Sequence, residues 1–287
     1  EPDPPVAADR EIGRAEGDGM SAAGISGRAS GSMLPALLAC SFAGSFSQSM
    51  MNVALPEVAR RFDVTLSVAN WLIVGYMVVA ATSIMLSAFL LGRLGLRRVF
   101  FVGVGALAIG SGAALLSPDF PTLFGSRLIQ AIGTGLFFPM VTSAIMTNSP
   151  RRTLGTRLAL NSGVIAIGLA VSPTVSGLAL TYFGWSALFI VPLALALALL
   201  VVGAFLIRDG ASPGHTSADV LSVILGLTGL SALMFGLGEI THDVLPSVVA
   251  LAGGAVLLAL FAWRQFSASE PLLNLHPLAH PRFAAGI

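Results

Sequence analysis

Arg127, Gln130 and Thr134 stand three and four residues apart inside an otherwise apolar stretch of helical length, RLIQAIGTGLFFP. At that spacing a guanidinium, a carboxamide and a hydroxyl share one helix face. Such a stripe can hydrogen-bond and orient a polar group. It cannot relay protons, because a guanidinium keeps its proton at any working pH. Ser41, Ser45, Gln48 and Asn52 make a second stripe, at intervals of four, three and four residues. A third stretch, GLAVSPTVSG, repeats Gly168, Ser172 and Ser176 every four residues, with Pro173 between them and Gly177 closing the run. Pro173 removes a backbone donor and bends its helix, and small residues at this interval let a neighbouring helix come close. Packing is its first role, and a hinge or a seal against leak its second.

The elements that position these residues follow from composition. Of 287 residues, 55% are hydrophobic and only 10% charged, and mean hydropathy is +0.87. Soluble domains are about 25% charged, so a lipid bilayer is the expected solvent and the expected fold class is an all-α polytopic integral membrane protein. Eight apolar stretches reach spanning length, at 33–55, 68–91, 98–117, 121–146, 155–181, 185–207, 219–240 and 246–266. Residues 1–32 hold almost no large apolar side chain and are expected to be a disordered tail. The single cysteine, Cys40, lies in an apolar stretch and reads as a packing residue.

All fifteen basic residues are arginines. Counted by alternate loops from the tail, twelve fall on one side of the membrane, only Arg60 and Arg61 on the other, and Arg127 inside a span. The arginine-rich side is expected to be cytoplasmic, which puts the amino terminus inside. Arg127 follows Pro121 by about 9 Å of helix. A charge at the bilayer centre costs roughly 2.5–3.5 kcal/mol, so it either snorkels to the interface or faces a polar cavity within the bundle. The face it shares with Gln130 and Thr134 favours the cavity. For the second stripe the choice lies between packed helices and a cavity wall, and the size of Gln48 and Asn52 favours the wall.

Five segments together resemble the major facilitator superfamily, in its fourteen-helix drug:proton antiporter branch. These are MNVALPEVARRF after the first span, WLIVGYMV in the second, GRLGLRRVF between the second and third, RLIQAIGTG in the fourth and GLAVSPTVSG in the fifth. The resemblance runs from about residue 35 to the end. It implies a six-helix bundle over 33–207, a cytoplasmic linker at 208–218 and two additional helices over 219–266. Residues 267–287 would hold a second linker and the start of a ninth helix. It also implies that Arg127, Gln130, Asn52, Gln48, Ser45, Trp71 and Tyr76 line a cavity or take part in coupling. Arg93, Gly95, Arg97 and Arg98 would form the gating loop, and Gly168, Ser172, Pro173 and Gly177 the antiporter-type motif of helix five. The chain departs from the branch at Ser47, where an acid is usual, and at Gly92, where an aspartate is usual.

The expected activity is efflux of small amphipathic compounds by alternating access across a bacterial inner membrane, with protons as the candidate coupling ion. The alternatives are a proton-independent facilitator and a truncated, non-transporting membrane protein. The partners expected are a small-molecule substrate, membrane lipid and a carboxy-terminal bundle beyond residue 287, since the chain reads as a fragment. No nucleophile–base pair, nucleotide loop, cofactor site or nucleic-acid surface is read. His276 and His280 are four apart, but Pro277 and Pro281 break the helix that would align them, and no metal site is assigned.

Overall fold

The computed structural model describes residues 33–207, 220–239 and 244–267. The expected tail at 1–32, the linker at 208–218, nearly all of 267–287 and all four histidines lie outside the described residues. Within them the chain forms eight helices and no strand. Five of these helices are long and apolar enough to cross a membrane.

Helix α1 (33–49) passes through a turn at Met50 into α2 (Met51–Arg61). Met50 still donates to the Phe46 carbonyl at 3.1 Å, so the two make one continuous rod. Helix α3 (Leu66–Leu115) is two spans joined at Gly95, whose φ of 80° and ψ of 166° interrupt the helix. That left-handed region suits glycine, which has no Cβ to clash there. Around the break Arg93, Arg97 and Arg98 are exposed. Arg93 lies 5.9 Å from the Phe89 ring and Arg97 5.9 Å from the Phe101 ring.

Helix α4 (Phe120–Asn148) starts at Asp119, whose Oδ1 accepts from the Thr122 amide at 2.8 Å, with Pro121 in the first turn. Hydrogen bonds from the Thr122 side chain and backbone hold the Asp119 carboxyl below its ordinary range. The cap is therefore intact at neutral pH and is lost only as pH falls through that lowered value. Helix α5 (Arg151–Phe183) ends at Gly184, also at φ 80°, and α6 (Ala187–Leu206) follows. Helices α7 (Val220–Glu239) and α8 (Val244–Ser267) form a hairpin, and α7 packs on α3.

The most apolar window of α4 is 61% buried, against 17% for that of α5. Helix α4 is thus the centre of the bundle and α5 lies at its edge. Two apolar clusters lie along α4. One joins Leu37, Cys40, Phe100, Leu107, Phe137 and Met140. The other joins Phe46, Met51, Leu72, Leu123 and Phe189. The polar residues of α4 fall between the stretches that feed these clusters.

Contact between α3 and α4 depends on glycine. A Cβ on Gly110 would lie 2.6 Å from the Gln130 backbone nitrogen and 2.7 Å from the Ser126 carbonyl oxygen. The two backbones are already as close as they can be, so the side chains of Arg127 and Gln130 are carried into the interior.

Candidate functional site

Arg127 is 1% exposed, and Gln130 and Thr134 are fully buried. The guanidinium stacks over Tyr76, its carbon 4.1 Å from the ring centroid. Its Nη1 donates to the Ser47 carbonyl at 3.2 Å and also to Gln130 Oε1. Gln130 Nε2 in turn donates to Ser111 Oγ at 2.7 Å, and Ser111 donates to the Leu107 carbonyl at 2.6 Å. Tyr76 shares a 2.5 Å hydrogen bond with Thr134 and donates over 3.5 Å to Ser47 Oγ. One polar layer therefore ties α1, both halves of α3 and α4 together. Arg127 points into it and not toward the interface, since an interfacial arginine would be exposed. A desolvated cation over a ring is worth about 2 kcal/mol, and each hydrogen bond from a charged group about 1.5–3 kcal/mol.

The layer is rich in donors. Among the described residues the carboxylates are Glu57, Asp63, Asp119 and Glu239, at the end of α2, in the turn after it, at the cap of α4 and at the end of α7. The acceptors bonded to Arg127 are neutral, and its Nε, also buried, has no hydrogen-bond partner.

The second stripe divides. Ser41 donates to Asn161 of α5 at 2.7 Å. Ser45 is buried against Gly168, where an added Cβ would collide with its Oγ, and it donates to the Phe42 carbonyl at 3.1 Å. These two serines sit in the contact between α1 and α5, while Gln48 is half-buried and Asn52 exposed. The helix-five motif is the other side of that contact. Ser172 donates to the Phe46 carbonyl at 2.8 Å. Pro173 lacks the amide that would reach the Leu169 carbonyl, and Ser49 of α1 donates to that oxygen at 3.4 Å. Gly177, half-buried, has no atom near enough to meet an added Cβ. Trp71, half-buried, meets Phe235 of α7, ring centroids 5.7 Å apart.

Sequence reasoning missed Ser111, Asn161 and the stacking of Tyr76 beneath Arg127. Asn161 carried a usable signal, a carboxamide in an apolar helix. Ser111 carried none, because a serine in a span usually bonds its own backbone, as Ser87 and Ser126 do here.

The sequence profile of the Major Facilitator Superfamily matches residues 37–278. The chain belongs to that superfamily. It is 31% identical over 256 residues to the lincomycin resistance protein LmrB of Bacillus subtilis, covering 88% of this chain and 53% of LmrB. It is 28% identical to the multidrug efflux pump LfrA of Mycolicibacterium smegmatis, covering 80% of this chain and 46% of the pump. It is also 28% identical to the methylenomycin A resistance protein of Streptomyces coelicolor, over 82% and 50%. The chain thus spans about half the length of the curated relatives it matches. A solved peptide transporter of the POT type shares the fold, with a TM-score of 0.62 and 17% identity, over 82% of this chain and 52% of that one. This is a multi-pass major facilitator protein whose relatives are drug-resistance and efflux transporters.

Proposed function

We propose that this chain forms one half of an efflux transporter that exports small amphipathic compounds by alternating access across a bacterial inner membrane. The observation that carries this reading is the enclosed Arg127 layer at the centre of a superfamily bundle. A buried charge in a membrane protein is costly and marks a pathway or a switch. Transporters of this architecture place substrate between two repeats that rock against each other, and residues 33–207 would supply one of them. Helices α7 and α8 would be an additional pair placed against it. The relatives' names suggest lincomycin and methylenomycin A as first compounds to test. Cells lacking their own exporters are expected to accumulate less of at least one such compound when they express the full protein. Equal accumulation with and without the protein, across a panel of amphipathic antibiotics, would contradict the reading.

Proton coupling, if present, needs an acid outside the described spans, since Arg127 keeps its proton. Collapse of the proton gradient is expected to leave efflux intact if the protein is a facilitator, and to stop it if the protein is an antiporter.

Orientation gives a second test. The native Cys40 is fully buried, so introduced cysteines should report with little background. Ser212→Cys is expected to react with an impermeant thiol reagent only after cells are opened, and Arg61→Cys in intact cells. The reverse pattern would invert the topology.

A further inference from the structure

The Arg127 layer has a fixed positive charge, an excess of donors and, among the described residues, no carboxylate, and we propose that it binds a small monovalent anion as its counter-charge. Three observations carry this. The guanidinium is 1% exposed, so water cannot balance its charge. Its bonded acceptors, the Ser47 carbonyl and Gln130 Oε1, are neutral, and its buried Nε–H has no acceptor at all. Hydroxyls of Ser47, Tyr76 and Thr134 lie within the same layer and can turn their hydrogens toward an anion. A buried charge whose partners are all neutral still lacks a counter-charge, and a mobile anion supplies one as a fixed carboxylate would. Binding of a free halide is independent of which compound is exported, whereas binding of that compound's own carboxylate rests on the proposed function.

Ser47 makes the idea testable. Its carbonyl is 3.2 Å from Arg127 Nη1 and its Oγ 3.5 Å from the Tyr76 hydroxyl, so an aspartate at this position would place its carboxylate in the layer. A built-in negative charge should then replace the mobile one. The same anion chemistry has two sources, a free halide or a carboxylate carried by a transported compound.

The experiment is a thermal scan of the purified full protein in detergent, titrated with chloride, acetate or gluconate at constant ionic strength. The native protein is expected to rise by about 5 °C at saturating chloride or acetate relative to gluconate. Ser47→Asp and Arg127→Gln are each expected to lose this dependence. A response to chloride alone assigns a free halide. A response to acetate at lower concentration than chloride assigns a carboxylate. Identical scans of the native protein in all three anions would overturn the proposal even if neither variant could be purified. An undiminished response in Ser47→Asp or Arg127→Gln would overturn it as well, because the anion would then be acting elsewhere.

Discussion

Arg127→Ala is expected to reduce export to the level of cells carrying an empty vector, while the amount of protein in the membrane stays unchanged. The side chain is enclosed by Ser47, Tyr76 and Gln130, so its loss removes the joint between α1, α3 and α4. Insertion should not suffer, because removing a buried charge relieves a desolvation cost of several kcal/mol. Thermal stability is expected to change by only a few degrees, since the relieved desolvation offsets the lost contacts to Tyr76, Ser47 and Gln130. Loss of export far beyond that change separates a functional role from a structural one. Arg127→Lys should recover only part of the activity. An ammonium is a point charge and cannot present the planar fork that reaches both the Ser47 carbonyl and Gln130. Drug accumulation, read beside an immunoblot of the membrane fraction, checks all of this. Normal export by the alanine variant would return Arg127 to the role of a snorkelling anchor.

The second large effect is steric. Gly110→Val is expected to abolish the folded protein, since the first added carbon already meets backbone atoms at 2.6, 2.7 and 2.9 Å. Backbone cannot swing aside as a side chain can. Overpacking typically costs about 1–3 kcal/mol and more where main chain must move. Gly112→Ala is the matched control, two residues along the same helix. A Cβ there meets nothing within 4 Å, so the variant should be neutral or gain up to about 1 kcal/mol from reduced chain entropy. Size-exclusion profiles and melting temperatures of the two variants decide the matter. Equal behaviour of the pair would mean that α3 and α4 are not packed as described.

These two sites show where the sequence was informative. The spans were legible because apolar stretches of about 20 residues have one economical solution in lipid, a helix with all its backbone bonds internal. The break at Gly95 was legible because the arginine-rich segment GRLGLRR separates two apolar stretches of spanning length. The stripe of Arg127, Gln130 and Thr134 was legible because three polar groups on one face of an apolar helix must find partners. The identity of those partners was not. Ser111 and Tyr76 come from opposite ends of α3, and only the fold at Gly95 brings both ends to α4. The stripe on α1 pointed to a cavity by residue size alone. Size could not tell that Ser41 would meet Asn161 and Ser45 would meet Gly168, since that depends on which face α5 presents. The first helical rod runs on to Arg61, past the expected end at 55, because hydropathy marks where a helix crosses lipid and not where its hydrogen bonds stop.

Every functional statement above depends on the guanidinium lying inside the bundle. A cryo-electron microscopy map of the full protein in a lipid nanodisc measures this directly. The account predicts density for the Arg127 side chain over the Tyr76 ring, within about 4 Å of its centre and against the Ser47 carbonyl and Gln130. Density running along the helix surface to the headgroup layer, with Tyr76 and Gln130 packed without it, would contradict the account.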